Sequence, residues 1–337
     1  MIGSLLSKLP APRPADWRLW SVTVCIAAIA DKRKHIALVS DSKVAFGEFS
    51  ADRAVRKNVP LLGEYVVLCA GNDAARADTI YNRVRKQLVD KSPEPSVDEI
   101  AEALFMECKR ERDRIVEGKI LSKHGYDTTT FREKGKQLCT AAVFFDIHSA
   151  MAQISLSLDF IIAGFDEKGE PHLRFTNCET PPEDYDSLGF YAIGSGAHAA
   201  LSSMTHAVEH LIFSRYRDTG TVLYHAMAAK FMAESARDVG KDTFAVVIGH
   251  NESPKFISVF DGDEYVRERW KSEGAPRVPN GIGGAIEDLL ADSNEFNDEK
   301  VLEKVAKYCP RAGERLKEIR AEKAAKLLTS ETSKYGQ

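Results

Sequence analysis

Two short apolar runs near the amino terminus constrain the fold of this chain more than any other stretch. They occupy residues 23–29 (TVCIAAI) and 35–40 (HIALVS), and the charged segment 31–34 (DKRK) separates them. Two β-rich runs joined by a short polar turn predict an antiparallel hairpin. Such a hairpin brings its two open ends together, so Thr23 at the start of the first run and Asp41 after the second are expected to be neighbours.

The position of the turn sets the pairing at the open end of this hairpin. A turn centred on Arg33 places Thr23 opposite Lys43, one pair beyond Asp41. A turn centred on Lys32 instead places Thr23 opposite Asp41. With either turn, a hydroxyl, a carboxylate and a lysine collect at one end of a rigid element.

Composition places the chain among globular proteins and excludes several classes of function. Of its 337 residues, 44% are hydrophobic and 28% are charged, which is typical of a globular protein with ample core. The formal net charge of −4 predicts no nucleic-acid partner, and no apolar run approaches the roughly 20 residues of a membrane span. The cysteines are scattered without a C-x-x-C pair or a close histidine, which predicts free thiols in the cytoplasm and no bound metal or cofactor: Cys25, Cys69, Cys108, Cys139, Cys178 and Cys309.

Strand and helix signals alternate in blocks after the hairpin. Residues 65–71 (YVVLCAG) predict a buried strand, and Asp73 is placed to cap a helix with an apolar stripe. A capping-box pattern at Ser96 and Glu99 predicts the start of a second helix. Residues 118–157 give no clear pattern.

The second half of the chain contains another predicted hairpin and a serine between two glycines. Residues 160–175 hold two strand-like runs around a turn at Gly169. Residues 191–196 (YAIGSG) predict a strand that runs into Ser195, and they lack the Lys-Ser/Thr frame of a phosphate-binding loop. Two helices are predicted next, followed by a strand at residues 244–248 (FAVVI).

These landmarks resemble, in their order along residues 21–262, the proteasome β-subunit branch of the N-terminal-nucleophile hydrolases. The shared features include a spacing of 16 positions between Asp41 and Lys57, a strand ending in Ala-Gly, and a later segment of the form AG-x-D-x-x-G-x-P-x-L. The sequences at 23–25 (TVC) and 40–43 (SDSK) resemble the bacterial proteasome homologues of the Anbu type more closely.

The resemblance implies a fold, an activity and a set of catalytic residues. The fold is expected to be α+β, a four-layer αββα sandwich whose two antiparallel sheets pack face to face. The activity is expected to be that of a threonine-type peptidase, with Thr23 as N-terminal nucleophile and its own α-amine as base. Asp41 and Lys57 are expected to tune the hydroxyl, while Ser195 and Asp238 support the proton path.

Two residues compete for the role of nucleophile. Leaders of the resembled family are usually cut after glycine, whereas Val22 precedes Thr23 and Trp20 precedes Ser21. The Thr-x-Cys context favours Thr23. Ser21 is the alternative, because a turn centred on Lys32 would move it to the nucleophile position, and it lies on the same strand face two residues away. The missing glycine, together with Lys241 where the family carries a serine, favours a different interpretation, in which the chain is a non-catalytic proteasome-like subunit.

Three segments and an assembly are expected. Residues 1–20 are interpreted as a leader or a disordered tail, and residues 21–262 as the hydrolase domain. Residues 263–337 are interpreted as a helical extension, which is either a solvated appendage or a contact with a neighbouring subunit. The family also implies a homo-oligomeric ring or spiral, a peptide or unfolded-protein substrate and, as a candidate partner, an ATPase unfoldase.

Overall fold

The fold is α+β and contains two five-stranded antiparallel sheets. It is seen in a computed structural model that describes residues 23–46, 49–51, 57–62, 64–71, 73–91, 95–210, 218–236, 239–257 and 262–273, together with a few separate positions between 283 and 321. The interpretations of residues 1–20 and of most of 263–337 lie outside the described residues.

The first sheet combines strands from both ends of the described chain, whereas the second follows the order of the sequence. In spatial order the first sheet contains β10 (Phe190–Ile193), β1 (Cys25–Ala30), β2 (His35–Asp41), β11 (Thr243–Gly249) and β12 (Lys255–Ile257). The second sheet contains β5 (Asn58–Leu62), β6 (Tyr65–Gly71), β7 (Leu158–Phe165), β8 (Pro171–Asn177) and β9 (Glu183–Asp184). A separate pair is formed by β3 (Val44–Phe46) and β4 (Phe49–Ala51).

The described α-helices fall into two groups along the chain. Four of them lie between β6 and β7, and the others follow β10: α1 (Ala74–Leu88), α2 (Val97–Lys119), α3 (Thr128–Leu138), α4 (Ala141–Ala152), α5 (Ala197–His210), α6 (Thr219–Ala233) and α7 (Gly262–Glu273). In the described part of the chain, none of these helices has the length and apolar character needed to cross a bilayer.

The first hairpin is present, but its turn differs from both turns that the sequence suggested. β1 pairs with β2 so that Ala30 lies opposite His35 and Cys25 lies opposite Ser40. The loop between them therefore has four residues and is centred between Lys32 and Arg33. Continued to Thr23, this register gives Ser42 as its partner, one residue from either expected partner, so both predicted pairings of Thr23 were wrong.

The space between the two sheets is filled by alternate residues of their strands. Cys25, Ala27 and Ile29 of β1 pack with Leu68 of β6 and Ile161 of β7 in one buried apolar cluster. The intervening residues of β1 point to its other face, because successive side chains of a strand alternate. Both faces of β1 are thus covered, which explains its continuous apolar run.

Helices cover the other faces of the two sheets. A second apolar cluster joins the outward residues of β1, such as Ile26, to α6 and to Val266 of α7. A third cluster joins Val67 and Phe160 of the second sheet to α1 and α2, with Leu104 of α2 among its members. Each sheet therefore has apolar packing on both sides.

The predicted helix starts are confirmed for α1 and α2. The Asp73 side chain accepts a hydrogen bond from the Arg76 N–H at 3.0 Å, which satisfies one of the free donors of the first turn. Ser96 and Glu99 form both hydrogen bonds of a capping box. These side-chain contacts define where each helix begins.

Residues 118–157, which gave no clear pattern, contain α3 and α4. Their apolar residues form a small cluster of their own around Phe131 and Ile147. The Arg112 side chain of α2 donates to the carbonyls of Met151 and Ile154, both at 2.9 Å. Phe145 remains 69% exposed, so α4 lacks the one-sided burial that makes a helical pattern easy to recognise.

The packing between the sheets gives a first prediction. Leu68 is fully buried there, and Leu68→Ala should lower the free energy of unfolding by about 2–5 kcal/mol, because the cavity closes only partly. Leu138 in α3 is 52% exposed, so Leu138→Ala should change it by less than about 0.5 kcal/mol. Urea unfolding followed by circular dichroism measures both values, and equal effects would contradict the described packing.

A buried acid in α7 gives a second prediction. Burial raises the pKa of Asp263 from 3.8 to about 7, and Arg267 opposes part of that rise. A raised carboxyl pKa means that the folded protein loses stability as pH rises from about 4 to about 7, because the buried group must ionise.

Asp263→Asn removes this dependence without changing the shape of the side chain. The stability of the variant relative to the unmodified protein should therefore increase by about 2–3 kcal/mol between pH 5 and pH 8, at about 1.4 kcal/mol per pH unit. Urea unfolding at the two pH values measures it. A difference that stays constant with pH would show that Asp263 titrates normally.

Candidate active site

Thr23, Asp41 and Lys57 meet at the open end of the first hairpin. The Thr23 hydroxyl donates to Asp41 Oδ1 at 2.5 Å, and the Lys57 ammonium donates to Asp41 Oδ1 at 2.7 Å. Lys57 Nζ also donates to the Thr23 hydroxyl oxygen. Each of the three side chains thus contacts the other two, so the hydroxyl lies between a carboxylate and an ammonium group of opposite charge.

Asp41 is the centre of this cluster and is completely buried. Its Oδ1 atom also accepts the Val24 N–H at 2.9 Å. Its Oδ2 atom accepts the backbone N–H groups of Lys43 at 3.2 Å and Gly240 at 3.1 Å. Five donors therefore surround a single carboxylate, which is how a buried charge becomes tolerable.

Lys57 comes to the cluster from the second sheet. It directly precedes β5, and its carbonyl accepts the Cys69 N–H of β6 at 3.0 Å. Its side chain is 9% exposed, while that of Asp41 is fully buried. An ion pair with so little water around it is stabilising only if its remaining hydrogen bonds are made, and here the Thr23 hydroxyl provides one of them.

The turn after β10 holds the backbone of Thr23. Ser195 Oγ donates to the Thr23 carbonyl at 3.2 Å and accepts the Thr23 N–H at 3.3 Å. The Gly196 N–H donates to the same carbonyl at 3.2 Å. Ser195 therefore touches both the nitrogen and the carbonyl of the predicted nucleophile, and the Gly196 amide is occupied in holding Thr23.

Gly194 is required by this close approach. Its φ of +97° lies in the region that favours glycine, and a Cβ atom there would lie 2.4 Å from the Thr23 carbonyl oxygen. Because the contact is with backbone, no side-chain movement relieves it. The glycine before Ser195 thus permits the turn to reach Thr23.

A thiol also lies beside the cluster. Cys25 is fully buried, and its Sγ donates to the Cys69 carbonyl at 3.4 Å. Burial raises the pKa of the Cys25 thiol well above its usual range, although the Lys57 charge opposes the rise. Cys25 is therefore a neutral thiol and does not compete with Thr23 as a nucleophile.

The structure brings together four of the six residues that the sequence singled out. Thr23, Asp41, Lys57 and Ser195 are joined by the contacts described above. The other two, Ser21 and Asp238, lie outside the described residues.

Sequence reasoning missed the role of Gly240. Gly240 contributes a backbone N–H, which every residue except proline possesses, so the residue type does not indicate which N–H will bind Asp41. The available signal was its place just before β11, because Thr243 of that strand pairs with Asp41.

No group of three or more potential metal ligands occurs among the described residues. No family model matches the chain, and no curated protein sequence matches it. What the site can do must therefore be argued from its own geometry.

The mutual contacts of Asp41 and Lys57 give a third prediction. Asp41→Asn should destabilise the protein by about 3–5 kcal/mol, because it leaves the buried ammonium without its counter-charge. The double variant Asp41→Asn/Lys57→Met should lose less than the sum of the two single variants, with a coupling energy of about 1–3 kcal/mol. Urea unfolding of all four proteins measures it.

The ion pair between Glu268 and Lys271 serves as the control, since it lies at 3.0 Å on the surface of α7. Its coupling energy should stay below about 1 kcal/mol, as is usual for exposed pairs. Additive losses at Asp41 and Lys57 would contradict the described ion pair.

Proposed function

We propose that this chain is a proteasome-like N-terminal-nucleophile hydrolase that cleaves amide bonds as a threonine-type peptidase. The observation that supports it most is the contact of one threonine hydroxyl with a buried aspartate and a largely buried lysine. A structural threonine in a strand needs neither partner. A lysine beside the oxygen, held by a carboxylate, favours the charge that develops when a hydroxyl attacks.

Thr23 would attack the carbonyl carbon of the substrate amide through its Oγ1 atom. A new carbon–oxygen bond forms, and the hydroxyl proton passes to the α-amine of the same residue. That amine then gives the proton to the departing nitrogen, which leaves an ester on Thr23 that water hydrolyses. Lys57 stabilises the negative charge that develops on Oγ1, and Asp41 keeps Lys57 charged and in place.

The α-amine exists only after the bond between Val22 and Thr23 is cut, because in the full chain the Thr23 nitrogen is a peptide nitrogen. The contact with Ser195 Oγ already lies at that nitrogen, at 3.3 Å. After cleavage the same hydroxyl would touch the new amine and could pass its proton onward. This position supports the proton-path role proposed for Ser195.

The arrangement of apolar clusters supports the expected four-layer αββα sandwich. The clusters lie between α5–α7 and the first sheet, between the two sheets, and between the second sheet and α1–α2. This order corresponds to a four-layer αββα sandwich, which is the architecture that the resembled family uses. We also propose, on that resemblance, a homo-oligomeric ring or spiral acting on peptides or unfolded proteins, with an ATPase unfoldase as a candidate partner.

A non-catalytic subunit is the second candidate. The observation that favours it is the burial of Thr23, which is only 1% exposed in the uncut chain. A hydroxyl that water scarcely reaches cannot act on a substrate in this state. The two candidates therefore differ in whether the chain is cut before Thr23.

Intact-mass measurement of the purified protein distinguishes them. We expect loss of residues 1–22, or of 1–20 if Ser21 is the nucleophile, followed by covalent labelling of the new terminus by an N-terminal-nucleophile inhibitor. Thr23→Ala should abolish both events. Lys57→Met should slow labelling by about 100-fold or more, which is typical for loss of one charge-stabilising group.

Lys255→Met is the matched control, because Lys255 is a partly exposed lysine of β12 that pairs with Glu252 away from the cluster. It should process and label like the unmodified protein, and Thr23→Ser should retain activity. A chain that stays at full length and never labels would exclude the peptidase and leave the non-catalytic subunit.

A further inference from the structure

Two cations are buried together behind the segment that precedes β11. Lys230 of α6 is fully buried, and its Nζ donates to Glu234 at 2.5 Å and to the Lys241 carbonyl at 2.7 Å. Arg267 of α7 donates to both oxygens of Glu234, at 2.6 and 2.8 Å, and to the same Lys241 carbonyl at 2.6 Å. We call Lys230, Glu234 and Arg267 the buried clamp.

The charges of the buried clamp do not balance within it. Two cations face one carboxylate, and the neighbouring acid Asp263 has a pKa raised by burial. Burial also lowers the pKa of Lys230, although Glu234 opposes that change. Both cations donate to the Lys241 carbonyl, and charge-assisted hydrogen bonds are stronger than neutral ones, so this carbonyl is a fixed point of the segment before β11.

That fixed point lies one residue from the donor that orients Asp41. The Gly240 N–H donates to Asp41 Oδ2, and Thr243 at the other end of the segment lies opposite Asp41 in the sheet. Arg267 also reaches the Thr243 hydroxyl at 3.4 Å. Segment 240–243 is therefore held by the clamp on one side and contacts Asp41 on the other.

We propose that Arg267 and Lys230 are positioning residues for the candidate active site, because they fix segment 240–243 so that Gly240 orients Asp41 toward Thr23 and Lys57. The relevance of this proposal to catalysis rests on the proposed function, whereas the contacts that hold segment 240–243 and Asp41 do not. It assigns a role to α7, which lies in the part of the chain that the sequence suggested was an appendage.

The role of Lys241 changes accordingly. Its side chain is exposed, so the lysine that replaces the serine expected from the family does not point into the cluster. The backbone of this residue provides the useful group instead. Lys241, which departs from the sequence pattern of the resembled family, is thus held in place through its backbone carbonyl.

Amide hydrogen exchange at single-residue resolution tests the proposal in the full-length protein without requiring activity. In Arg267→Met, exchange at Gly240 and at Val24 should rise at least tenfold. Val24 is informative because its N–H donates to Asp41 from the residue before β1, on the far side of the carboxylate from segment 240–243 in sequence. Exchange at Val246, within β11, should stay unchanged.

Arg267→Lys should restore part of the protection, since a lysine can still donate to the carbonyl but cannot bind both oxygens of Glu234. Lys271→Met, an exposed lysine on the same helix, should leave both amides unchanged. If Arg267→Met does not fold by circular dichroism, Arg267→Gln replaces it, with a smaller rise expected at the same two amides.

Unchanged exchange at Gly240 would overturn the clamp, and a rise at Gly240 without one at Val24 would overturn the positioning of Asp41. In protein that labels at Thr23, Arg267→Met should also slow labelling at least tenfold, and Arg267→Lys should recover part of the rate. If the unmodified protein never labels, the proposed peptidase fails, while the exchange at Gly240 and Val24 still decides the positioning role.

Discussion

The carboxylate of Asp41 joins parts of the chain that are far apart in sequence. It accepts donors from Val24 just before β1, from Lys43 two residues after β2, from Lys57 just before β5 and from Gly240 before β11. A buried charge of this kind tolerates no missing partner, since each unmade hydrogen bond leaves it less compensated. The two sheets must therefore close in one register for the group to be satisfied. The candidate site therefore assembles only when the two sheets pack in the observed way.

Local signals were sufficient to predict most of the secondary structure. Caps at Asp73 and Ser96 are short-range interactions, so the residue types that form them can be recognised without knowledge of the fold. Strands β6, β7 and β11 were predicted because their apolar runs are bounded by turn residues. Helix α4 could not be predicted, because its apolar residues are exposed on several sides and show no single buried face.

The candidate site was predictable in its side chains and unpredictable in its backbone. Thr23, Asp41, Lys57 and Ser195 are residue types with evident chemistry, and their order along the chain drew attention to them. The N–H of Gly240 and the carbonyl of Lys241 leave no such mark, since every peptide unit offers the same groups. The register of the first hairpin was predicted wrongly for a related reason, because it depends on loop length, which is set by backbone angles. The turn has positive φ at Asp31, Lys32 and Arg33, and neither lysine nor arginine is a residue type that indicates this conformation.

The contacts of Thr23 bear on how its amino terminus would behave in a chain that lacks the residues before it. Terminal residues usually fray, because nothing precedes them to restrain their motion. Thr23 is anchored by its own carbonyl, its own nitrogen and its own hydroxyl, through the turn at Ser195 and through Asp41. None of these contacts depends on the residues before it. A chain that began at Thr23 would therefore start with an ordered residue whose nitrogen, carbonyl and hydroxyl are already oriented.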